Sequence, residues 1–144
     1  MILHAGLIAR LSPGGWRGAL IIGPSGVGKS DLALRALDQR FALVADDRTL
    51  VFVCQGQVFG RAPGPLAGLI EVRGVGIVRQ PALTVAPITL IVRCVEAPEA
   101  VERLPEHGTS PILGVALPTI DLWPRENSAP AKIGRAIEHL GASA

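Results

Sequence analysis

The sequence is poor in cysteine, has no clear excess of either charge and contains no long apolar run. Its two cysteines, Cys54 and Cys94, lie far apart in apolar stretches, so we expect two buried thiols and neither a disulfide framework nor a zinc site. Its 14 basic and 12 acidic side chains nearly cancel, which argues against a nucleic-acid partner. No basic leader and no bilayer-length run stands out, so we expect a cytoplasmic protein without a membrane partner.

Apolar side chains, by contrast, are abundant. They make up 49% of the 144 residues, enough for one hydrophobic core in a domain of common size. We therefore predict a single domain, residues 1–144. Disorder is not expected at this composition.

Periodicity predicts a β-rich α/β domain. Apolar runs predict strands at residues 2–11, 18–22, 41–45, 87–95 and 119–123, a hairpin formed by 50–54 and 57–61, and a β-prone stretch at 69–79. Helical spacing predicts helices at 29–40 and toward the C-terminus, where Ser128 and Pro130 open the helix and Gly141 closes it. A short helix is expected at 99–104.

The strongest motif is GPSGVGKS, at residues 23–30. It fits G-x-x-x-x-G-K-[ST] at every fixed position and stands between a predicted strand and a predicted helix, as a phosphate-binding loop should. Glycines let consecutive N–H groups point inward and form an anion nest at a helix N-terminus. The predicted nucleotide-binding residues are Gly23, Pro24, Ser25, Gly26, Val27, Gly28, Lys29 and Ser30.

Two adjacent acids follow the next predicted strand. Asp46 and Asp47 come one helix and one strand after the loop, where a carboxylate can hold Mg²⁺ or its waters. One acid can complete the metal shell while the other accepts a proton from an attacking hydroxyl. Without the loop nearby, an Asp-Asp pair before a hairpin would indicate only a surface turn.

Three segments together resemble a known family. GALIIGPSGVGKSDLALRAL, LVADDRTLV and LIEVRGVGIV, in this order, resemble the catalytic domain of the HPr kinase/phosphorylase family, and residues 71–76 fit its E-[VLI]-R-G-[VLI]-G signature. The resemblance implies a P-loop fold related to that of phosphoenolpyruvate carboxykinase. It also implies an enzyme that uses ATP and Mg²⁺ to phosphorylate a serine of an HPr-like phosphocarrier in a bacterial phosphotransferase system.

The resemblance also implies roles for the residues near the phosphates. Lys29 contacts the phosphates, and Asp46 is the acid/base that deprotonates the acceptor serine. In the reverse direction, with inorganic phosphate and pyrophosphate as the small molecules, the same carboxyl helps phosphate attack the phosphoserine. His4 matches a histidine in the strand before the loop strand, close to the phosphates and the aspartate, and is implied to be catalytic with Asp46, Lys29 and Arg73. Taken alone, a lone histidine there indicates a structural role.

The metal ligands and the signature are implied in the same way. Ser30, Asp47 and Glu71 are the expected Mg²⁺ ligands, and Arg73 is expected to stabilise charge on the transferring phosphoryl group. Taken alone, Glu71 and Arg73 share strand parity, so an ion pair on one sheet face is the alternative.

The sequence departs from the family pattern in two places. The family's common form has an additional N-terminal domain, and we expect none here. Its C-terminal P-G-R-N loop, which serves phosphorolysis and contacts between subunits of a homo-oligomer, corresponds to residues 123–127, where Glu126 departs from the pattern and Arg125 stands for the arginine.

Two other functions fit the same motifs. One is a small-molecule kinase, with residues 96–118 as a lid that excludes water. The other is a non-enzymatic ATP sensor, which needs the nest and the metal but no proton acceptor.

Overall fold

The computed structural model describes residues 1–141, so the predicted domain, 1–144, extends three residues beyond the described part. The described residues form eleven strands and two α-helices. The strands are β1 (Ile2–Leu3), β2 (Gly6–Ser12), β3 (Gly15–Ile22), β4 (Phe41–Ala45), β5 (Thr49–Cys54), β6 (Gln57–Arg61), β7 (Leu69–Val72), β8 (Gly76–Arg79), β9 (Ala86–Cys94), β10 (Gly108–Ile112) and β11 (Val115–Leu122). The helices are α1 (Lys29–Leu37) and α2 (Ala129–His139). No helix within residues 1–141 is long and apolar enough to cross a membrane.

One mixed sheet organises the chain. Its order is β1-β5-β6-β9-β3-β2-β4, with β11 also paired to β9 and β10 to β11, while β7 and β8 form a separate hairpin. The pairs β3–β9 and β9–β11 are parallel, and β2 runs antiparallel to both β3 and β4. Strands β3, β4, β9 and β11 therefore share one direction, and their carboxyl ends meet at one edge of the sheet. In open α/β sheets that edge is where ligands bind.

Alternation along the central strands gives the sheet two covered faces. In β3, Ala19 and Ile21 belong to a core shared with α1 and α2, whereas Leu20 belongs to a second core with side chains of the β5–β6 hairpin. Successive residues of a strand point to opposite faces, so this split is what the period of two requires. Because both faces are buried, the central strands are almost wholly apolar, which is why the sequence pattern located them well.

Most elements before residue 96 confirm the predictions. Strand β4 has the predicted bounds, the 50–61 hairpin forms as β5 and β6, and the 69–79 stretch folds back on itself as β7 and β8. The predicted strand 2–11 is interrupted between β1 and β2 at His4 and Ala5. Cys54 is exposed, contrary to prediction, because it lies beside the β5–β6 turn beyond the core, whereas Cys94 is buried as expected.

The segment from 96 to 128 differs most from the predictions. The helix predicted at 99–104 is wrong: only a 3-10 turn, Pro98–Ala100, forms there. Strand β10 was not predicted, and β11 begins four residues before the strand predicted at 119–123. Pro111 lies in β10, which pairs only with β11, and proline is tolerated on such an edge strand.

Candidate active site

The phosphate-binding motif has the predicted strand–loop–helix context. Strand β3 ends at Ile22 and α1 begins at Lys29, and Gly28 has the left-handed φ of 114° that favours glycine. The first N–H groups of a helix lack intrahelical partners and carry the positive end of the helix dipole, so this turn is a ready site for a phosphate.

The base of the loop packs against the end of β9. A Cβ on Gly23 would lie 3.0 Å from the Cβ and the carbonyl oxygen of Cys94, so only glycine fits there. The pKa of the Cys94 thiol is raised to about 11, because burial outweighs the lowering effect of the Lys29 ammonium. The thiol is therefore protonated near neutral pH and acts as a small packing group beneath the loop.

The Lys29 side chain curls back over the loop. Its Nζ donates to the carbonyl oxygens of Gly23 at 2.7 Å and Pro24 at 3.0 Å. An ammonium has three donors, so one remains for a phosphate oxygen. Val27, by contrast, is buried in the helix-side core and anchors the loop.

A cavity of about 550 Å³ opens above this loop. That volume lies within the range of small-molecule sites. The cavity brings together four separate parts of the chain: the loop with the start of α1, the turn after β4, the β7–β8 hairpin and the segment after β11. Its lining residues are Ser25, Gly26, Gly28, Lys29, Ser30, Asp31, Leu34, Asp47, Glu71, Val72, Arg73 and Arg125.

A tight turn after β4 separates the two aspartates. The N–H of Arg48 donates to the carbonyl oxygen of Asp46 at 2.7 Å, and Asp47 between them has a left-handed φ of 63°. Non-glycine residues held in this region mark strain, which concentrates at functional sites. The turn lets the two carboxylates make different contacts.

The Asp46 carboxylate lies between the loop and the β7–β8 hairpin. Its Oδ2 accepts the backbone N–H of Glu71 at 3.0 Å. Burial raises the pKa of Asp46, and the nearby carboxylates of Asp47 and Glu71 raise it further, against the lowering effect of the Glu71 N–H and the Ser30 hydroxyl. The net direction is upward. A base whose pKa moves toward the working pH accepts a proton more effectively.

Asp47 contacts His4. The Nδ1 of His4 is 3.4 Å from Oδ1 of Asp47, and the two side chains are 66% and 53% exposed. The sequence predicted a strand at His4, but this residue lies in the break between β1 and β2. It reaches the site because β2 runs opposite to β3 and β4, so its start lies at the edge where those strands end.

The predicted metal ligands share the cavity wall. Ser30, Asp47 and Glu71 all line the cavity. No cluster of three or more histidine, cysteine or acidic side chains able to hold a metal occurs in the described part of the chain. A hydroxyl and two carboxylates still fit Mg²⁺, since this ion uses one or two carboxylates and completes its shell with water and substrate phosphates.

The signature residues flank one end of the β7–β8 hairpin. Glu71 lies in β7, whereas Arg73 belongs to the turn that follows Val72. Both face the cavity, and no ion pair joins them among the contacts of residues 1–141. The ion-pair alternative is therefore not what the structure contains.

Arg125 reaches the loop from the far end of β11. Its Nη2 donates to the carbonyl oxygen of Gly26 at 2.9 Å, and the residue lines the cavity. Sequence reasoning reached Arg125 only by resemblance, because nothing local to residues 123–127 indicates what they pack against.

Comparison with known proteins agrees with this arrangement. The model of the family described as HPr serine kinase C-terminal domain matches residues 15–133. The chain belongs to this family. The matched range runs from the start of β3 into α2, so it contains all the cavity-lining residues.

Individual relatives support the same assignment. The HPr kinase/phosphorylase of Limosilactobacillus reuteri is 38% identical over 129 residues, which cover 82% of this chain and 38% of the relative. That of Lactobacillus acidophilus is 36% identical over 132 residues, covering 84% and 39%. The structure of the HPr(Ser) kinase/phosphatase from Coxiella burnetii superposes with a TM-score of 0.81 at 26% identity, covering 96% of this chain and 88% of that one.

These relatives are longer proteins. The chain spans less than two fifths of the length of the curated relatives it matches. The fold match nonetheless includes nearly all of this chain, and it confirms the predicted β-rich α/β class.

Proposed function

We propose that this chain is the catalytic domain of an ATP- and Mg²⁺-dependent protein-serine kinase. Its proposed acceptor is an HPr-like phosphocarrier, because the relatives of L. reuteri and L. acidophilus and the C. burnetii structure all carry HPr in their names. The setting is the regulation of a bacterial phosphotransferase system in the cytoplasm. The unit that does this work is one domain, residues 1–144.

Nucleotide phosphates bind to the loop in this proposal. The N–H groups at the start of α1 and the Lys29 ammonium supply positive potential to the cavity floor, and Ser30, Asp47 and Glu71 would hold Mg²⁺. The metal, when bound, neutralises charge on the phosphates and orients them. His4 helps to orient Asp47 through the 3.4 Å contact between Nδ1 and Oδ1.

One observation carries the proposal. The Asp46 carboxylate accepts the Glu71 N–H at 3.0 Å and lies beside Ser30, so a proton acceptor is held next to the phosphate loop by two elements at once. Asp46 takes the proton of the acceptor serine as the serine oxygen attacks the γ-phosphorus, the bond to the β–γ bridging oxygen breaks and ADP leaves. Arg73 and Lys29 stabilise the charge on the transferred group.

The same groups can serve the reverse reaction. Asp46 takes a proton from the attacking inorganic phosphate and passes it to the serine oxygen as the bond between that oxygen and phosphorus breaks, so that unphosphorylated serine and pyrophosphate are the products. The names of the relatives include phosphorylase or phosphatase beside kinase, which supports this second direction.

The decisive experiment compares wild type with one substituted variant and locates the phosphoserine on the carrier by mass spectrometry. Asp46→Asn keeps the shape of the side chain but removes the proton acceptor, so we expect phosphorylation of an HPr-like carrier to fall by about 10²- to 10⁴-fold while ATP still binds. Asp38→Asn, an exposed aspartate at the end of α1, is the matched control and should retain full activity.

The alternatives give different results. A small-molecule kinase would consume ATP with free serine and leave the carrier unmodified. An ATP sensor would bind ATP without turnover in wild type. Undiminished carrier phosphorylation by Asp46→Asn would remove Asp46 from its proposed role.

A further inference from the structure

The segment after β11, residues 123–127, lies across the first helix of the phosphate-binding unit. Arg35 of α1 holds it there: Nη1 donates to the carbonyl oxygen of Glu126 at 3.0 Å, and Nη2 donates to that of Pro124. The Nε of the same guanidinium donates to Oδ2 of Asp31 at 2.9 Å, on the preceding turn of the helix. All three kinds of guanidinium nitrogen are therefore engaged.

The two carbonyl groups that Arg35 binds flank a single residue, Arg125. That residue in turn donates from Nη2 to the carbonyl oxygen of Gly26 in the phosphate loop, at 2.9 Å. The loop also packs on the segment directly, since a Cβ on Gly28 would lie 3.6 Å from Cγ of Pro124 and 3.9 Å from Cγ of Arg125. The backbone on either side of Arg125 is thus fixed to the same helix that carries Lys29 and Ser30.

Glu126, the residue that departs from the family's P-G-R-N pattern, supports the segment from the other side. Its Oε1 lies 2.6 Å from Nζ of Lys132 in α2, and its carbonyl oxygen also accepts the N–H of Ala129 at 3.2 Å. Residues 124–126 are consequently attached to both helices.

Arginine suits a site where one side chain binds two backbone carbonyl groups. A guanidinium is a planar fork with five donors in fixed directions, whereas a lysine ammonium is a point charge on a flexible stem. The Arg35 side chain is 29% exposed, so these bonds are partly shielded from water. Arg35 lies on the polar face of α1, yet it binds a neighbouring segment of the chain.

We infer that Arg35 is a positioning residue that holds residues 124–126 so that Arg125 faces the phosphate cavity, where its guanidinium exchanges the Gly26 carbonyl for a phosphate oxygen of the nucleotide. The inference rests on the proposed function for the identity of the ligand. Arg35 itself does not line the cavity; it acts through Arg125.

The test is a double-mutant cycle read by equilibrium binding of Mg-ATP in titration calorimetry. Arg125→Met and Arg35→Met should each raise the Kd for ATP by about tenfold, the size of one charge-assisted hydrogen bond. The double variant should bind no more than about twofold more weakly than either single variant, because Arg35 acts through Arg125. Arg135→Met, an exposed arginine of α2 away from the cavity, is the control and should leave the Kd unchanged.

A purely structural role for Arg35 gives a different pattern. In that case Arg35→Met would lower the free energy of unfolding in urea, and its effect on the Kd for ATP would multiply with that of Arg125→Met. Multiplicative increases of the Kd in the double variant would therefore overturn the inference. If Arg35→Met does not fold, Arg35→Lys replaces it in the same cycle, with a smaller single loss and the same non-additivity expected. An unchanged Kd in a folded Arg35→Lys would likewise overturn it.

The binding readout also separates this inference from the proposed function. It needs no acceptor protein, so the coupling of Arg35 and Arg125 can be measured even where the phosphocarrier proves to be the wrong substrate. Conversely, the carrier could be phosphorylated while the increases of the Kd at the two arginines multiply in the double variant. That result would refute the positioning role and leave the kinase assignment intact.

Discussion

The cavity has two walls that are built in different ways. The loop wall, residues 23–47, is one continuous stretch of loop, helix α1, strand β4 and the turn after it, so its geometry follows from the chain itself. The assembled wall consists of residues 71–73 and 123–127, which come from a separate hairpin and from the end of β11, and tertiary contacts alone place them. The loop wall presents the proposed phosphate-binding groups, whereas the assembled wall contributes two arginines, Arg73 and Arg125, whose positions depend on how other elements dock.

Apart from that of Asp46→Asn, the largest effect on turnover is expected in the loop wall. Lys29→Met removes the ammonium at the cavity floor and should lower kcat/KM for carrier phosphorylation by about 10²- to 10³-fold, the usual cost of losing one preorganised charge-stabilising donor. Steady-state kinetics with varied ATP measure it.

The control for Lys29→Met is Arg103→Met, an exposed cation in the loop between β9 and β10. It should keep wild-type kinetics. Equal losses in the two variants would mean that net charge, and not the position of Lys29, matters.

The loop wall was largely predictable because its signals are local. The motif residues are contiguous, the flanking strands are buried and apolar, and β4 occurs at the predicted residues 41–45. The proximity of Asp46 to Ser30 follows from the shared direction of β3 and β4, which a strand–helix–strand unit favours.

The part of the assembled wall that follows β11, residues 123–127, could not be predicted from local sequence, for two physical reasons. The β10–β11 hairpin turns at Leu113 and Gly114, whose φ values of 49° and 81° are both left-handed, and a leucine there does not resemble the Asn-Gly or Asp-Gly pair that marks such turns. Arg35 occupies the polar face of α1, and the sequence cannot distinguish a face in water from one that binds backbone carbonyls. Residues 123–127 were therefore found by resemblance only.

A smaller effect is expected in the assembled wall, on kcat and not on the Kd for ATP. Arg73→Met in the assembled wall should lower kcat by about tenfold and leave the Kd for ATP near wild type, since its charge is needed mainly as the phosphoryl group transfers. Arg79→Met, an exposed arginine at the end of the same hairpin, is the matched control. A rise in Kd without a fall in kcat would place Arg73 among the nucleotide-binding groups instead.

The smallest effect concerns the junction of the two walls, at Asp46. Because burial first, and the neighbouring carboxylates second, raise the pKa of Asp46 above its ordinary value of 3.8, the folded protein binds a proton there more tightly than the unfolded chain does. Between that value and the raised one, the unfolded state has released more protons, so the contribution of Asp46 to the free energy of unfolding falls as pH rises through this window and then levels off. Asp46→Asn should remove this fall, so that the variant gains stability relative to wild type as pH increases from below 3.8 toward neutrality. Urea unfolding of both proteins without nucleotide or Mg²⁺, at a series of pH values, measures the difference. Parallel curves of unfolding free energy against pH for the two proteins would show that the two walls do not desolvate this carboxylate and that folding does not raise its pKa.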